Sequence, residues 1–343
     1  MRPEQALAHG HWVKLICGAS NQDPAGIEDL CGIYTLAGVH CIDVAADPAV
    51  VAAARRGIGW GLDQSDSATP SRPWLMVSLS DGEDPHFRKA WFDPLRCPPR
   101  CPRPCQRVCP ALAIAAEGGV RAESCYGCGR CLPVCPQGLI EERGQVLSAA
   151  QVAPLLARLK PDLVELHTQP GRGESFALRL DQVIASGLPL RHLAVSCGWG
   201  EGPDPASSTS RELWQRFALL RHHQLCPIWQ LDGRPMSGDI GDGTAHAALR
   251  LLTAMRPLAP PGPLQLAGGT NGLTLPLLRR QAGSALAARA QAGGVAFGGM
   301  ARSLLQPLML EAERGGRRLL EDAALWPLAL ERARRLVGPW LAP

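Results

Sequence analysis

Eight of the thirteen cysteines lie between Cys97 and Cys135, in two runs of four that each close on Cys-Pro. The second run reads Cys125-x2-Cys128-x2-Cys131-x3-Cys135-Pro136. This is the spacing of a bacterial ferredoxin half, in which the fourth cysteine ligates the other cluster of a pair. On that pattern Cys125, Cys128, Cys131 and Cys109 hold one 4Fe-4S cluster, and Cys97, Cys101, Cys105 and Cys135 hold a second. The first run is spaced x3, x3, x3. Its cluster is therefore either a four-iron cube on a looser loop or a 3Fe-4S cluster that leaves one cysteine unused. Zinc would not call for four ligands per run, each ending in Cys-Pro. Disulfides fit poorly with a chain that shows no sign of secretion.

The two runs form an internal repeat. Cys109-Pro-Ala-Leu-Ala-Ile, followed by Gly119-Val120, aligns with Cys135-Pro-Gln-Gly-Leu-Ile, followed by Gln145-Val146. Cys105 aligns with Cys131 in the same register, whereas Cys101 and Cys97 drift out of register with Cys128 and Cys125. Arginines at 96, 100, 103 and 107 intersperse the first run, where they either dock an acidic electron donor or simply solvate a loop.

The rest of the chain must position this region. A length of 343 residues with 46% apolar composition suits two domains, or one large α/β domain with an insertion. A net charge of +4 makes no case for nucleic acid. The N-terminal residues MRPEQALAHGHW lack a signal-peptide core, and no run approaches the roughly 18 apolar residues of a transmembrane segment. Cysteine-rich composition without an export signal points to metal binding in a reducing, cytoplasmic setting.

Short apolar strands alternate with helical patterns. Strands are expected at 12–17, 41–45, 74–79, 163–167, 193–197, 226–231, 264–267 and 295–297. Asp47 caps the helix after the second strand, with Pro48 in its first turn and Gly57 at its end. Eight strand–helix units favour a (β/α)8 TIM-like barrel carrying an inserted two-cluster bacterial-ferredoxin-like domain. A doubly wound open sheet is the runner-up, but the first strand lacks a G-x-G-x-x-G turn. The expected division is 1–92 for the first part of the barrel, 93–147 for the iron–sulfur insertion and 148–314 for the remaining barrel. Residues 315–343 form a basic amphipathic helical pattern interrupted by Pro327. It packs on the barrel, or else meets a partner or makes a peripheral membrane contact.

Three features mark the barrel mouth. Gly268-Gly269 and Gly298-Gly299 follow the seventh and eighth strands, where barrels commonly bind phosphate, and Arg302 would add charge. Such a site would fit flavin mononucleotide (FMN) or a phosphorylated ligand; glycine pairs also make tight turns that bind nothing. Lys14, Asp43 and Glu165 lie inside strands, as a ligand-orienting ion pair, a structural pair, or outward-facing residues. Cys197, at a strand end, is either a reactive thiolate or an inert small hydrophobe. His167 reads as a polar mouth residue rather than a metal ligand. A radical-SAM reading fails on the spacing of Cys97, Cys101 and Cys105 and on their place after the third strand.

Several stretches carry a resemblance: GHWVKLICGASNQD (10–23), CIDVAADPAVV (41–51), both cysteine runs, ELHTQPGR (165–172), SCGWGEG (196–202), QLDGRPMSGDIGDGT (230–244) and LAGGTNG (266–272). Together they resemble the cyanobacterial light-dependent-period (LdpA) family. The resemblance implies an iron–sulfur protein that reports redox state to the circadian clock and adjusts its period to light. It also implies association with clock-input components such as the kinase CikA and with oscillator proteins. Two classes of function are thus in view. One is a redox sensor fed by a donor such as ferredoxin or quinone; the other is an iron–sulfur oxidoreductase acting on a small ligand at the barrel mouth.

Overall fold

The computed structural model describes the chain except residues 18–22, 84–87, 110–111, 116–117, 123, 126, 128, 145, 235–240, 284–291 and 342–343. Helix α1 (Pro3–Ala8) precedes β1 (Trp12–Ile16), α2 (Pro24–Ala37), β2 (Cys41–Ala45), α3 (Pro48–Asp63) and β3 (Trp74–Ser80). The cysteine region follows, with β4 (Arg88–Trp91), α4 (Pro104–Arg107) and β5 (Glu141–Gly144). The alternation resumes with α5 (Ala149–Leu159), β6 (Leu163–His167), α6 (Gly173–Ile184), β7 (His192–Cys197), α7 (Pro205–His222) and β8 (Cys226–Asp232). Then come α8 (Ala245–Met255), β9 (Leu264–Ala267), α9 (Thr274–Ala282), β10 (Gly294–Phe297), α10 (Gly299–Arg314) and α11 (Leu325–Leu341).

Eight parallel strands close into a barrel in the order β1-β10-β9-β8-β7-β6-β3-β2. The strands alternate with a period of two, and one phase of each meets the surrounding helices. Val13, Leu15, Ile42, Val44, Val77, Val164, Leu166, Val195, Leu231, Leu266, Val295 and Phe297 belong to this main core. The other phase fills the barrel. Its bottom is apolar: Trp12, Cys41, Met76, Leu163, Ala194 and Ile228 pack together, and Leu7 of α1 joins them as a plug.

Two local expectations need correction. Gly57 does not end α3, which continues to Asp63. A Cβ at Gly57 would lie 2.3 Å from the Glu28 carbonyl oxygen, and one at Gly61 2.6 Å from that of Gly32. These glycines are notches that let α3 lie directly on α2. Asp47 does cap the helix, accepting from the backbone N–H groups of Ala49 and Val50. Nor does Pro327 interrupt the C-terminal helix. It sits in the first turn of α11, where its missing N–H leaves no intrahelical bond unmade. Leu325, Ala329, Leu330, Ala333, Leu336, Val337 and Trp340 are buried, and the helix packs on α2, α10 and β1.

The cysteine region leaves the C-terminal end of β3 and returns at α5, between strands β3 and β6 that pair in the barrel. Its own core is small and separate from that of the barrel. β4 and β5 pair antiparallel, and an isolated bridge joins Ile114 to Val120. Both necks of the insertion are tied to α6. Arg172, the N-cap residue, reaches Asp81 at 3.3 Å and the Glu83 carbonyl at 2.7 Å, while Arg179 donates to the Leu147 carbonyl at 3.0 Å.

Candidate functional site

The insertion gathers sulfur around very little else. Ala90, Phe92, Ala113, Ile114 and Ile140 are its buried apolar residues, and Cys105, Cys125 and Cys131 are buried among them. Cys97, Cys109 and Cys135 pack against the same cluster from partly exposed positions. Cys101 is half-buried, and Cys128 lies outside the described residues. The two halves match in local chemistry. The Ala113 N–H donates to Cys109 Sγ at 3.2 Å, and the Leu139 N–H donates to Cys135 Sγ at 3.4 Å. Both donors stand four residues past their cysteine, so the sequence repeat becomes a repeat of N–H···S geometry. The Ala90 N–H similarly serves Cys125 Sγ at 3.4 Å.

Electrostatics tie the fourth cysteine of the second run to the first run. Burial raises the Cys105 thiol above its ordinary value, and Cys135, Cys101 and Cys97 are near enough to raise it further. Burial likewise raises Cys97, with Cys101 and Cys135 adding to the effect. Burial works against ionisation at Cys135 too, but the N–H groups of Leu139, Gln137, Ile140 and Gly138 outweigh it and leave the thiol below its usual range. A row of backbone N–H groups aimed at one sulfur is a ready site for a thiolate. Among the described residues no three His, Cys, Asp or Glu side chains are grouped to hold a single metal ion. A cubane instead takes one thiolate per iron around a larger body. The donors fit that demand: thiols from both runs, in an apolar setting, with N–H groups placed to stabilise sulfur charge.

The barrel interior above the apolar plug is built differently. Lys14 is fully buried; its Nζ donates to Asp43 Oδ2 at 2.9 Å and contacts Glu165 Oε2. Ser78 Oγ donates to the other Asp43 oxygen at 2.6 Å. Glu165 Oε1 accepts from Gln230 Nε2 at 2.6 Å and lies 2.7 Å from His167 Nε2. Gln265 Nε2 then donates to Gln230 Oε1 at 2.8 Å, and Trp12 Nε1 donates to Gln265 Oε1 at 2.7 Å. The hydrogen-bond chain thus touches six of the eight barrel strands. Burial alone would favour a neutral Lys14 amine, but Asp43 and Glu165 outweigh it and hold the ammonium charged. Burial pushes Asp43 up to about 6, against the pull of Lys14. Glu165 resists the same burial, because Lys14 and His167 keep it well below the ordinary carboxylate range.

The first glycine pair has packing reasons. Gly268 and Gly269 adopt φ of +60° and +103°. A Cβ on them would lie 2.6 Å from the Arg234 carbonyl oxygen and 2.8 Å from that of Thr244. Asn271 of the same loop donates to the carbonyls of Gly241 and Asp242. Gly298 is the N-cap and Gly299 the first residue of α10, while Arg302 donates to the Cys17 carbonyl at 2.7 Å. Flavin mononucleotide gains no support from this arrangement. Cys197 is buried and its thiol is pushed up to about 12 by that burial, which makes it a small hydrophobe rather than a reactive thiolate.

Lys14, Asp43, Glu165 and His167 are residues that the strand pattern singled out. Trp12, Gln230 and Gln265 are not, although Gln230 and Asp232 occupy the same strand phase, two residues apart.

Among solved structures, tryptophan synthase from M. tuberculosis is 10% identical, with a TM-score of 0.39 over 99% of this chain and 98% of that one. A truncated 3-deoxy-D-arabino-heptulosonate 7-phosphate synthase from Thermotoga maritima gives 10% and 0.39 over 90% and 88%. At that distance neither carries an argument, and the closed sheet alone establishes the barrel. The relation in sequence is far nearer. Residues 97–146 match the LdpA Fe-S cluster-binding domain, and residues 155–339 match the Light dependent period A C-terminal domain. The protein Light dependent period A of Synechococcus elongatus is 46% identical over 339 residues, covering 98% of this chain and 93% of that one. The chain belongs to the light-dependent-period family.

Proposed function

We propose that this chain is an iron–sulfur protein of light-dependent period control that responds to the redox state of the cell through two clusters in its insertion. Cys125, Cys128, Cys131 and Cys109 hold one 4Fe-4S cluster; Cys97, Cys101, Cys105 and Cys135 hold the other, as 4Fe-4S or 3Fe-4S. One observation carries the reading: thiols of both runs share one small core, with matching N–H donors at Cys109 and Cys135. When bound, such clusters supply one-electron storage at a potential set by hydrogen bonds and exposure. The residues of this chain do the rest. Ala113, Leu139 and Ala90 present N–H groups to sulfur, and the apolar side chains exclude water. The Arg172 and Arg179 ties hold the insertion against α6, so a change of charge in the insertion can bias a surface that clock-input or oscillator proteins read. The whole works in the cytoplasm.

Anaerobic purification with iron and acid-labile sulfide counted tests this directly. About seven or eight irons per chain, bleaching on reduction, are expected. Zinc without sulfide would overturn it. Low-temperature electron paramagnetic resonance of the oxidised protein tells a three-iron first cluster from a cube.

A second reading rests on the buried Lys14–Asp43–Glu165–His167 network. Apolar residues usually fill a barrel at this level, and ionic replacements rarely improve stability. Two neighbouring carboxyl groups driven in opposite directions are what acid–base chemistry on a small ligand requires. Mass spectrometry of compounds released from the unfolded protein checks it; a stoichiometric small molecule supports barrel-mouth chemistry, and its absence from natively purified protein counts against a tightly held ligand.

A further inference from the structure

The loop that carries the first cysteine run presents a bare apolar side chain among unneutralised cations. Leu95 is 93% exposed, in the 3-10 turn Pro94–Arg96. Arg96, Arg100 and Arg107 are exposed beside it in the chain. From residue 94 to residue 115 there are four arginines and no carboxylate; from 94 to 140 there are six arginines against Glu117 and Glu123. The carboxylate just before the loop, Asp93, is turned onto the Leu95 N–H at 3.0 Å. Arg103 and Arg107 brace the loop from within through the carbonyls of Ala115 and Pro102. Arg96 and Arg100 make no ion pair among the described residues. Some exposed arginines elsewhere pair with carboxylates, as Arg56 does with Glu28, Arg72 with Asp162 and Arg335 with Glu331; what sets this loop apart is the clustering of its arginines with no carboxylate between residues 94 and 115.

Prolines 94, 98, 99 and 102 restrict the loop, so little conformational freedom remains to be lost on docking. Cys97 within the Leu95–Arg100 segment and Cys101 just after it are only half-buried. An electron entering here would have little protein to cross.

We infer that the Leu95–Arg100 loop is the docking surface for an acidic one-electron carrier protein that exchanges electrons with the first-run cluster. This rests on the iron–sulfur reading above. The reduced carrier gives up one electron, the cluster takes it, and no bond forms or breaks. Redox encounters bury little area and depend on steering. One apolar anchor within a cationic rim meets that need. A neutral quinone would instead ask for an apolar slot and would have no use for the charge.

The test uses full-length protein with its clusters counted, reduced in a stopped-flow instrument by an acidic 2Fe-2S ferredoxin. Photoreduced deazaflavin, which is uncharged, serves as the control. The second-order rate with ferredoxin should fall about tenfold or more between about 0.05 and about 0.5 M salt. In R96E/R100E it should fall by about tenfold at low salt, with the deazaflavin rate unchanged. L95A should slow the ferredoxin reaction a few-fold without altering its salt dependence.

A salt-independent rate, or equal rates in all variants, would overturn the proposal. So would a shifted midpoint potential with unchanged ferredoxin kinetics, which would make the arginines a counter-charge for the cluster. Loss of binding to phosphatidylglycerol vesicles in R96E/R100E, with ferredoxin kinetics intact, would assign the loop to a membrane surface instead. Failure of the underlying reading looks different: no iron, no sulfide and no bleaching by deazaflavin.

Discussion

Inside the barrel, Lys14 has two carboxylates in contact and no solvent; on the insertion, Arg96 and Arg100 have solvent and no carboxylate among the described residues. The contrast extends to the surroundings. Barrel charges sit in a hydrogen-bonded network drawn from strands far apart in the chain, so moving one disturbs several. Arg96 and Arg100 sit on a short proline-rich loop, and replacing them would break no ion pair among the described residues. Charge buried and internally satisfied is expensive to alter and suits a fixed framework or an enclosed site. Charge exposed and unsatisfied costs little to alter and is free to meet a partner. The two regions thus place charge in opposite settings within one chain.

Breaking the barrel half of the comparison should have the largest effect. Lys14→Met leaves Asp43 and Glu165 facing each other without a cation, a loss of about 3–5 kcal/mol. The thermal midpoint of the barrel should drop by on the order of 10 °C. K14M/E165Q should recover part of this, because neutralising one carboxylate relieves the repulsion. A midpoint unchanged in K14M would show that the network carries no stability.

A second buried group gives the barrel a pH signature. Burial, with the amino terminus and His11 nearby, lowers His40 to about 4, and its Nδ1 accepts the Val13 N–H, as a neutral imidazole can. Below the ordinary value of 6.5 the unfolded chain takes up a proton that the folded chain refuses until about pH 4. The stabilisation is therefore full above pH 6.5 and is lost as the pH falls through that window, up to about 3 kcal/mol. Denaturation followed from pH 7 to pH 4 should show a shallower decline in H40Q than in the parent. Parallel curves would remove His40 from the account.

Cys131→Ser should sharpen the contrast from the other side. About half of the iron should be lost, while the barrel's far-ultraviolet melting midpoint moves by no more than about 3 °C. Simultaneous loss of both signals would mean that insertion and barrel unfold as one unit. The smallest effect on stability belongs to the exposed loop: Arg100→Ala should change it by less than about 0.5 kcal/mol. A larger change would mean that Arg100 is held by a structural partner.

Much of the fold was readable in advance, since strand and helix periods are local. The eight barrel strands lie where apolar runs predict them, and the Asp47 cap forms as its residue type requires. Glycine and proline misled. Gly57 read as a helix stop because glycine favours chain ends; in the folded chain its missing Cβ admits the neighbouring helix. Pro327 read as a break because its position relative to the first turn was unknown. Gly268 and Gly269 read equally as an anion site or as tight turns, and their missing Cβ atoms admit the backbone of Arg234 and Thr244.

The sequence by itself determined the two cysteine runs and the repeat that pairs them. Cysteine spacing is a covalent property of the chain, fixed before any tertiary contact exists. It also determined the barrel, because eight alternating units have few other ways to bury their apolar phase. Only the tertiary structure decided what Lys14, Asp43 and Glu165 do. A one-residue change of strand phase would turn each of them outward, and their contacts join β1 to strands 29 and 151 residues away along the chain. Likewise the arginines of the first run recur every three or four residues, but folding turns Arg103 and Arg107 onto backbone carbonyls and leaves Arg96 and Arg100 to the solvent.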